Sequence, residues 1–102
     1  MTTGELTDYT VDHLAMFGVT LRRNNTGQRG RYRYGITGWP DLLGYDNRGK
    51  FWAVEIKNRA TADRKREHQD TERGLMAAAG CRVYVVTCLE DVDRIVLEVE
   101  EK

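Results

Sequence analysis

Asp41, Glu55 and Lys57 lie within one stretch, GWPDLLGYDNRGKFWAVEIK, and together they could hydrolyse a phosphate ester. Residues 51–56 are apolar enough for a buried strand, yet Glu55 sits inside the run and Lys57 follows it. Burying charge is costly unless the charge is paired or meets a metal. Three ionisable groups in one hairpin therefore point to a site. Asp46-Asn47-Arg48-Gly49 is a turn signal, which predicts strands over 41–45 and 50–57. Side chains alternate along a strand, so Glu55 and Lys57 share a face with Phe51 and Ala53, while Trp52, Val54 and Ile56 share the other. Antiparallel pairing about this turn sets Asp41 opposite Glu55. Pro40, with no amide hydrogen, suits the start of a strand.

Two close carboxylates repel unless a cation stands between them. Oxygen ligands from one or two carboxylates, completed by water and substrate phosphate, are the preferred donors of magnesium, and manganese takes the same donors. Lys57 beside such a metal could orient or deprotonate an attacking water and offset phosphate charge. The same three residues could also form an exposed ion-pair cluster, and residue chemistry leaves both readings open.

The remaining elements must hold this hairpin. Leu6, Val11, Leu14, Ala15 and Phe17 predict an amphipathic helix over 4–17, ended by Gly18. A short strand or loop follows, and then a mobile basic segment. After the hairpin, a helix over 61–79 stops at Gly80, and the β-branched run from Arg82 to Thr87 reads as a buried central strand. Val92, Ile95, Val96 and Val99 have helical spacing. The expected fold class is α/β: a small mixed β-sheet flanked by helices in the order α-β-β-α-β-α, forming one domain over residues 1–102.

Sixteen basic and sixteen acidic residues give a net charge of zero, but the distribution is uneven. Residues 19–40 hold Arg22, Arg23, Arg29, Arg31 and Arg33 and no acid, whereas residues 90–102 hold six acids against two bases. A basic face for phosphate is one consequence; a solvated loop is the other. Asn24 and Asn25 could bond phosphate or shape a turn. Tyr32 and Tyr34 could stack on a base or sugar, or pack. Trp39 and Trp52 read as packing residues. His13 reads as exposed, without a clear partner, and His68 as a solvated surface histidine. Gly74, mid-helix, suggests a close contact or a kink. Cys81 and Cys88 flank one strand, too far apart for a disulfide, so free thiols in a reducing compartment are expected. No apolar run reaches membrane-spanning length and MTTGELTDYT lacks signal-peptide features, which suggests a cytoplasmic protein.

Gly38-x-Pro40-Asp41-Leu42, then Val54-Glu55-Ile56-Lys57, then Gln69 in a helix ending at Gly80 before a valine-rich strand, resembles the virus-type replication-repair nuclease (VRR-NUC) domain of the PD-(D/E)xK superfamily. Arg23-Asn24-Asn25-Thr26-Gly27 resembles the polar segment ahead of that family's glycine-x-proline-aspartate. The resemblance runs from about residue 5 to residue 90. It implies that Asp41 and Glu55 hold Mg2+ or Mn2+ with the backbone carbonyl of Ile56, that Lys57 is the catalytic lysine, and that Gln69 supports the site or contacts substrate. It also implies an acidic residue on the first helix near the metal, for which Glu5 is the candidate and Asp8 or Asp12 the alternatives. Arg22, Arg23, Asn24, Asn25, Arg29, Arg31 and Arg33 would then meet DNA phosphates. Stand-alone members resemble homodimeric enzymes that resolve four-way (Holliday) junctions. The expectation is such a metal-dependent DNA endonuclease, from a phage or a prophage-bearing bacterium. A flap- or nick-directed nuclease and a non-cleaving DNA-binding module on the same fold are the alternatives.

Overall fold

The computed structural model describes residues 1–35, 39–57 and 66–100, with backbone alone at 28, 29, 34 and 66–71. The elements in chain order are α1 (Thr3–Ala15), β1 (Val19–Arg23), β2 (Gly27–Arg29), β3 (Tyr32–Tyr34), β4 (Leu42–Asp46), β5 (Phe51–Ile56), α2 (Arg66–Ala78), β6 (Arg82–Val86) and α3 (Leu89–Glu100). The expected α-β-β-α-β-α skeleton is present, with three further strands between α1 and β4. The short strand or loop expected after the first helix is β1, whereas the segment expected to be mobile and basic forms the separate β2–β3 hairpin. Residues 58–65, which include the expected start of the second helix at 61, lie outside the described residues.

Four strands form the main sheet in the order β1-β4-β5-β6. Among the described residues β6, expected as a buried central strand, is instead an edge strand in which Val86 is buried and the other residues are half-buried or exposed. β4 is antiparallel to both β1 and β5, and β6 runs parallel to β5 after the α2 crossover. The register follows the turn. Tyr45 faces Phe51 and Leu42 faces Val54, so one further step sets Asp41 beside Glu55. Asp46 organises the turn: its carboxylate accepts from the amides of Arg48 (2.9 Å) and Lys50 (3.0 Å) and from Nε1 of Trp52 (3.0 Å). Those three donors hold its pKa below the ordinary value against the opposing effect of burial.

The two sheet faces differ as strand alternation requires. Trp52, Val54 and Ile56, with Leu21, Leu42 and Val86, pack against Leu6 and Leu14 of α1 and Val92, Ile95 and Val96 of α3. Trp52 is fully buried, as expected of a packing residue, and its ring lies tilted against that of Tyr84, with centroids 5.1 Å apart. Truncating such a core aromatic to alanine typically costs about 3–5 kcal/mol. Ala53 and Glu55 point to the other face, where α2 packs alongside β6.

Local signals set the helix ends. Thr2 and Glu5 form a capping box, with Glu5 N–H donating to Thr2 Oγ1 (3.1 Å) and Thr2 N–H to Glu5 Oε1 (2.9 Å). His13 is half-buried rather than exposed. It stacks on Tyr9 at 5.0 Å and approaches Asp93 of α3 at 3.7 Å, partners that only tertiary packing supplies. Both cysteines are free and half-buried. No described helix is long and apolar enough to cross a membrane.

Candidate active site

The end of β5 and the start of β4 build the site. Asp41 stands exposed at the mouth of the hairpin, and its Oδ2 accepts the backbone N–H of Ile56 at 2.9 Å. That bond crosses the strand pair and brings the Asp41 carboxyl within hydrogen-bonding reach of Glu55. Glu55 is 2% exposed. Its pKa is pushed up to about 8, first by burial, then by the hydrogen bond to Asp41 and the charge of Asp41. Arg73 and Lys57 oppose the rise as cations.

Asp41 is also fixed from behind. The Asn24 amide donates to Asp41 O at 2.7 Å, and Asn24 Nδ2 donates to Pro40 O at 3.3 Å. Asn24 thus clamps the Pro40-Asp41 backbone to the end of β1. Lys57 is half-buried, and its amide extends the parallel ladder by donating to Val86 O at 2.9 Å. Its ammonium therefore leaves the sheet at the same end and on the same face as Glu55.

A buried carboxyl hydrogen-bonded to a second carboxyl offers the donor chemistry a divalent cation needs, since the cation can take the proton's place between the oxygens. Asp41, Glu55 and the Ile56 carbonyl make a small, hard, oxygen-only set. Magnesium takes such a set, with water and phosphate completing the shell. Among the described residues no group of three or more acidic, histidine or cysteine side chains gathers as a metal cluster. Glu5 is exposed and its carboxylate closes the capping box, so it is not brought to the dyad. Of its alternatives, Asp8 pairs with Arg23 at 2.6 Å.

Arg73 is the site residue that sequence reasoning missed. It lies on α2 one turn after position 69, half-buried, with its Nη1 atom shielded from solvent, and its charge acts on Glu55. Spacing of four residues places positions 69 and 73 on one helix face. The Gln69 and His68 side chains lie outside the described residues.

The basic residues divide. Arg23 is engaged with Asp8, and Arg22 donates to the Leu21 carbonyl at 3.0 Å while remaining exposed. Asn25, Arg31 and Arg33 are exposed, and Arg29 is described by backbone alone.

No family model matches this sequence, and a search of characterised proteins gave no match. The fold is matched by solved structures. One, a VRR_NUC domain, superposes with a TM-score of 0.68 at 26% identity, covering 94% of this chain and 96% of its own. Coverage of nearly the whole chain at that score supports reading it as a VRR-NUC domain, and its small mixed α/β fold, a four-stranded mixed sheet flanked by three helices, matches that neighbour.

Proposed function

We propose that this domain is a nuclease that hydrolyses DNA phosphodiesters with Mg2+ or Mn2+. The observation that carries the reading is the buried Glu55 carboxyl held against Asp41 at the mouth of the β4–β5 hairpin, with Lys57 beside it. A solved VRR_NUC domain of the same fold supports it.

Asp41, Glu55 and the Ile56 carbonyl would hold the cation. When bound, it supplies Lewis-acid charge to the scissile phosphate and its leaving oxygen. Lys57 would have two tasks: its ammonium would orient the attacking water by hydrogen bond and offset the charge that builds on the phosphate. Gln69 supports the site or contacts the substrate backbone. Asn24 keeps Asp41 in register, and Arg73 steadies the Glu55 carboxylate electrostatically. Exposed Arg22, Arg31 and Arg33 supply sequence-independent phosphate contacts, with Arg23, Asn25 and Arg29 along the same segment.

The substrate we favour is branched DNA, a four-way junction, cut by a homodimer whose two-fold axis sets two sites against two strands. Metal-dependent cleavage of junction and duplex substrates, with Lys57→Ala as control, tests this reading.

A further inference from the structure

We infer that the β2–β3 hairpin is a branch-sensing wing whose tip residue, Tyr32, stacks on a nucleobase exposed where DNA strands part. The inference deepens the DNA-cutting reading and rests on its nucleic-acid part. Among the described residues the two strands pair with each other and join no strand of the main sheet. Arg29 faces Tyr32 across the two-residue loop Gly30-Arg31, and Gly30 takes the positive φ of 61° that such a tight loop needs at its first position.

The base of the wing is fixed. Gly35 has φ 75°, and a Cβ there would stand 2.1 Å from the Asn25 carbonyl oxygen, so only glycine lets the returning strand close on residues 25–26. The preceding residue, Asn24, holds Pro40 and Asp41. The wing is therefore joined to the catalytic hairpin through two residues of backbone. Three residues of strand at about 3.4 Å each carry the tip about 10 Å beyond that base. That length is the rise of about three base pairs of duplex, so a wing rooted beside Asp41 would touch DNA close to the cut phosphate.

The tip is built for nucleic acid. Tyr32 is 68% exposed, and Arg31 and Arg33 on either side of it are exposed too. From His13 to Pro40 the chain has no acidic residue, so nothing along this segment opposes a phosphate. An exposed aromatic flanked by cations is the arrangement that stacks on a base while gripping the backbone. In continuous duplex the base faces are already stacked on one another. A branch point offers a face that duplex does not, so Tyr32 adds affinity for branched DNA specifically.

The test measures binding in EDTA, where metal-dependent cutting is blocked, to a four-way junction carrying 2-aminopurine at the branch and to a 2-aminopurine duplex of matched sequence. Wild type, Tyr32→Ala and Tyr32→Phe are compared, with circular dichroism and melting curves confirming that each variant is folded. The expected result is that Tyr32→Ala loses about tenfold affinity for the junction, the scale of one base–aromatic stack, and less than about twofold for duplex. Wild type and Tyr32→Phe should both change the 2-aminopurine fluorescence of the junction. Equal losses on both DNAs, junction affinity and fluorescence unchanged by Tyr32→Ala, or a wild type that does not prefer the junction would each overturn the inference. The two readings fail separately. A wild type that prefers the junction through Tyr32 but cuts nothing with Mg2+ or Mn2+ upholds the wing and removes the nuclease; cutting that is indifferent to Tyr32 does the reverse.

Discussion

Asp41 accepts the amide of Ile56 at 2.9 Å, fifteen residues further along the chain, and so lies against Glu55. That single bond joins the two strands at the open end of the hairpin and converts an apolar strand pair into a carboxyl pair.

The pair has a pH signature in the absence of metal. Glu55 has a folded pKa of about 8 against an ordinary 4.5, so the fold favours its protonated form. Stability from this group is complete below about pH 4.5 and is lost as pH rises towards 8. Asp46 shifts the opposite way, and its contribution is lost only as pH falls below its ordinary 3.8, outside that window. Melting in EDTA should therefore give a Tm at least about 5 °C lower at pH 8.5 than at pH 5. Glu55→Gln should flatten the slope; equal slopes in both proteins would refute the assignment.

The same pair predicts that metal stabilises. Mg2+ or Mn2+ should raise Tm more at pH 8.5 than at pH 5, where protons compete for the oxygens. Both Asp41→Asn and Glu55→Gln should remove most of the increment. A metal-induced rise that survives both substitutions would place the cation elsewhere.

Arg73 opposes the upward shift of Glu55, so replacing its charge should raise that pKa further. Carboxyl-carbon NMR titration of the metal-free protein would read it directly. Arg73→Met should move the Glu55 midpoint above the wild-type value, and Arg73→Lys should restore most of the difference. A midpoint indifferent to Arg73→Met would contradict the electrostatic link.

Gly74 gives a prediction of opposite sign. It is exposed on α2, and among the described residues a Cβ there would meet nothing within 4 Å, so no close contact of the kind a mid-helix glycine suggests is found there. Gly74→Ala should stabilise the domain by about 0.5–1 kcal/mol through backbone entropy alone. Urea denaturation measures this, and a loss of stability would show a constraint at that position.

How much of this was legible depends on whether the cause was local. The Asp41–Glu55 pairing could be read because turn residues 46–49 fix the register and alternation fixes the face. The turn's own organiser, Asp46, could not, because its bond to Trp52 Nε1 depends on which face that indole takes in the folded sheet. The β2–β3 hairpin was obscured because its strands are three residues each, GQR and YRY, too short for the tyrosine alternation in the second to stand out from an arginine-rich loop. Arg73 was hidden in RKREHQDTERG, where charge density reads as a solvated face although one side of the helix turns inward. His13 failed for a similar reason, since its contact with Asp93 joins the first and last helices.

The most direct test of the central claim is cleavage itself. End-labelled four-way junction and matched duplex would be incubated with the protein and Mg2+, Mn2+ or EDTA, alongside Lys57→Ala. The account predicts cutting that requires metal, prefers the junction, and falls by about 10²–10⁴-fold in Lys57→Ala. Binding without cutting in any metal, or cutting that Lys57→Ala leaves intact, would contradict it.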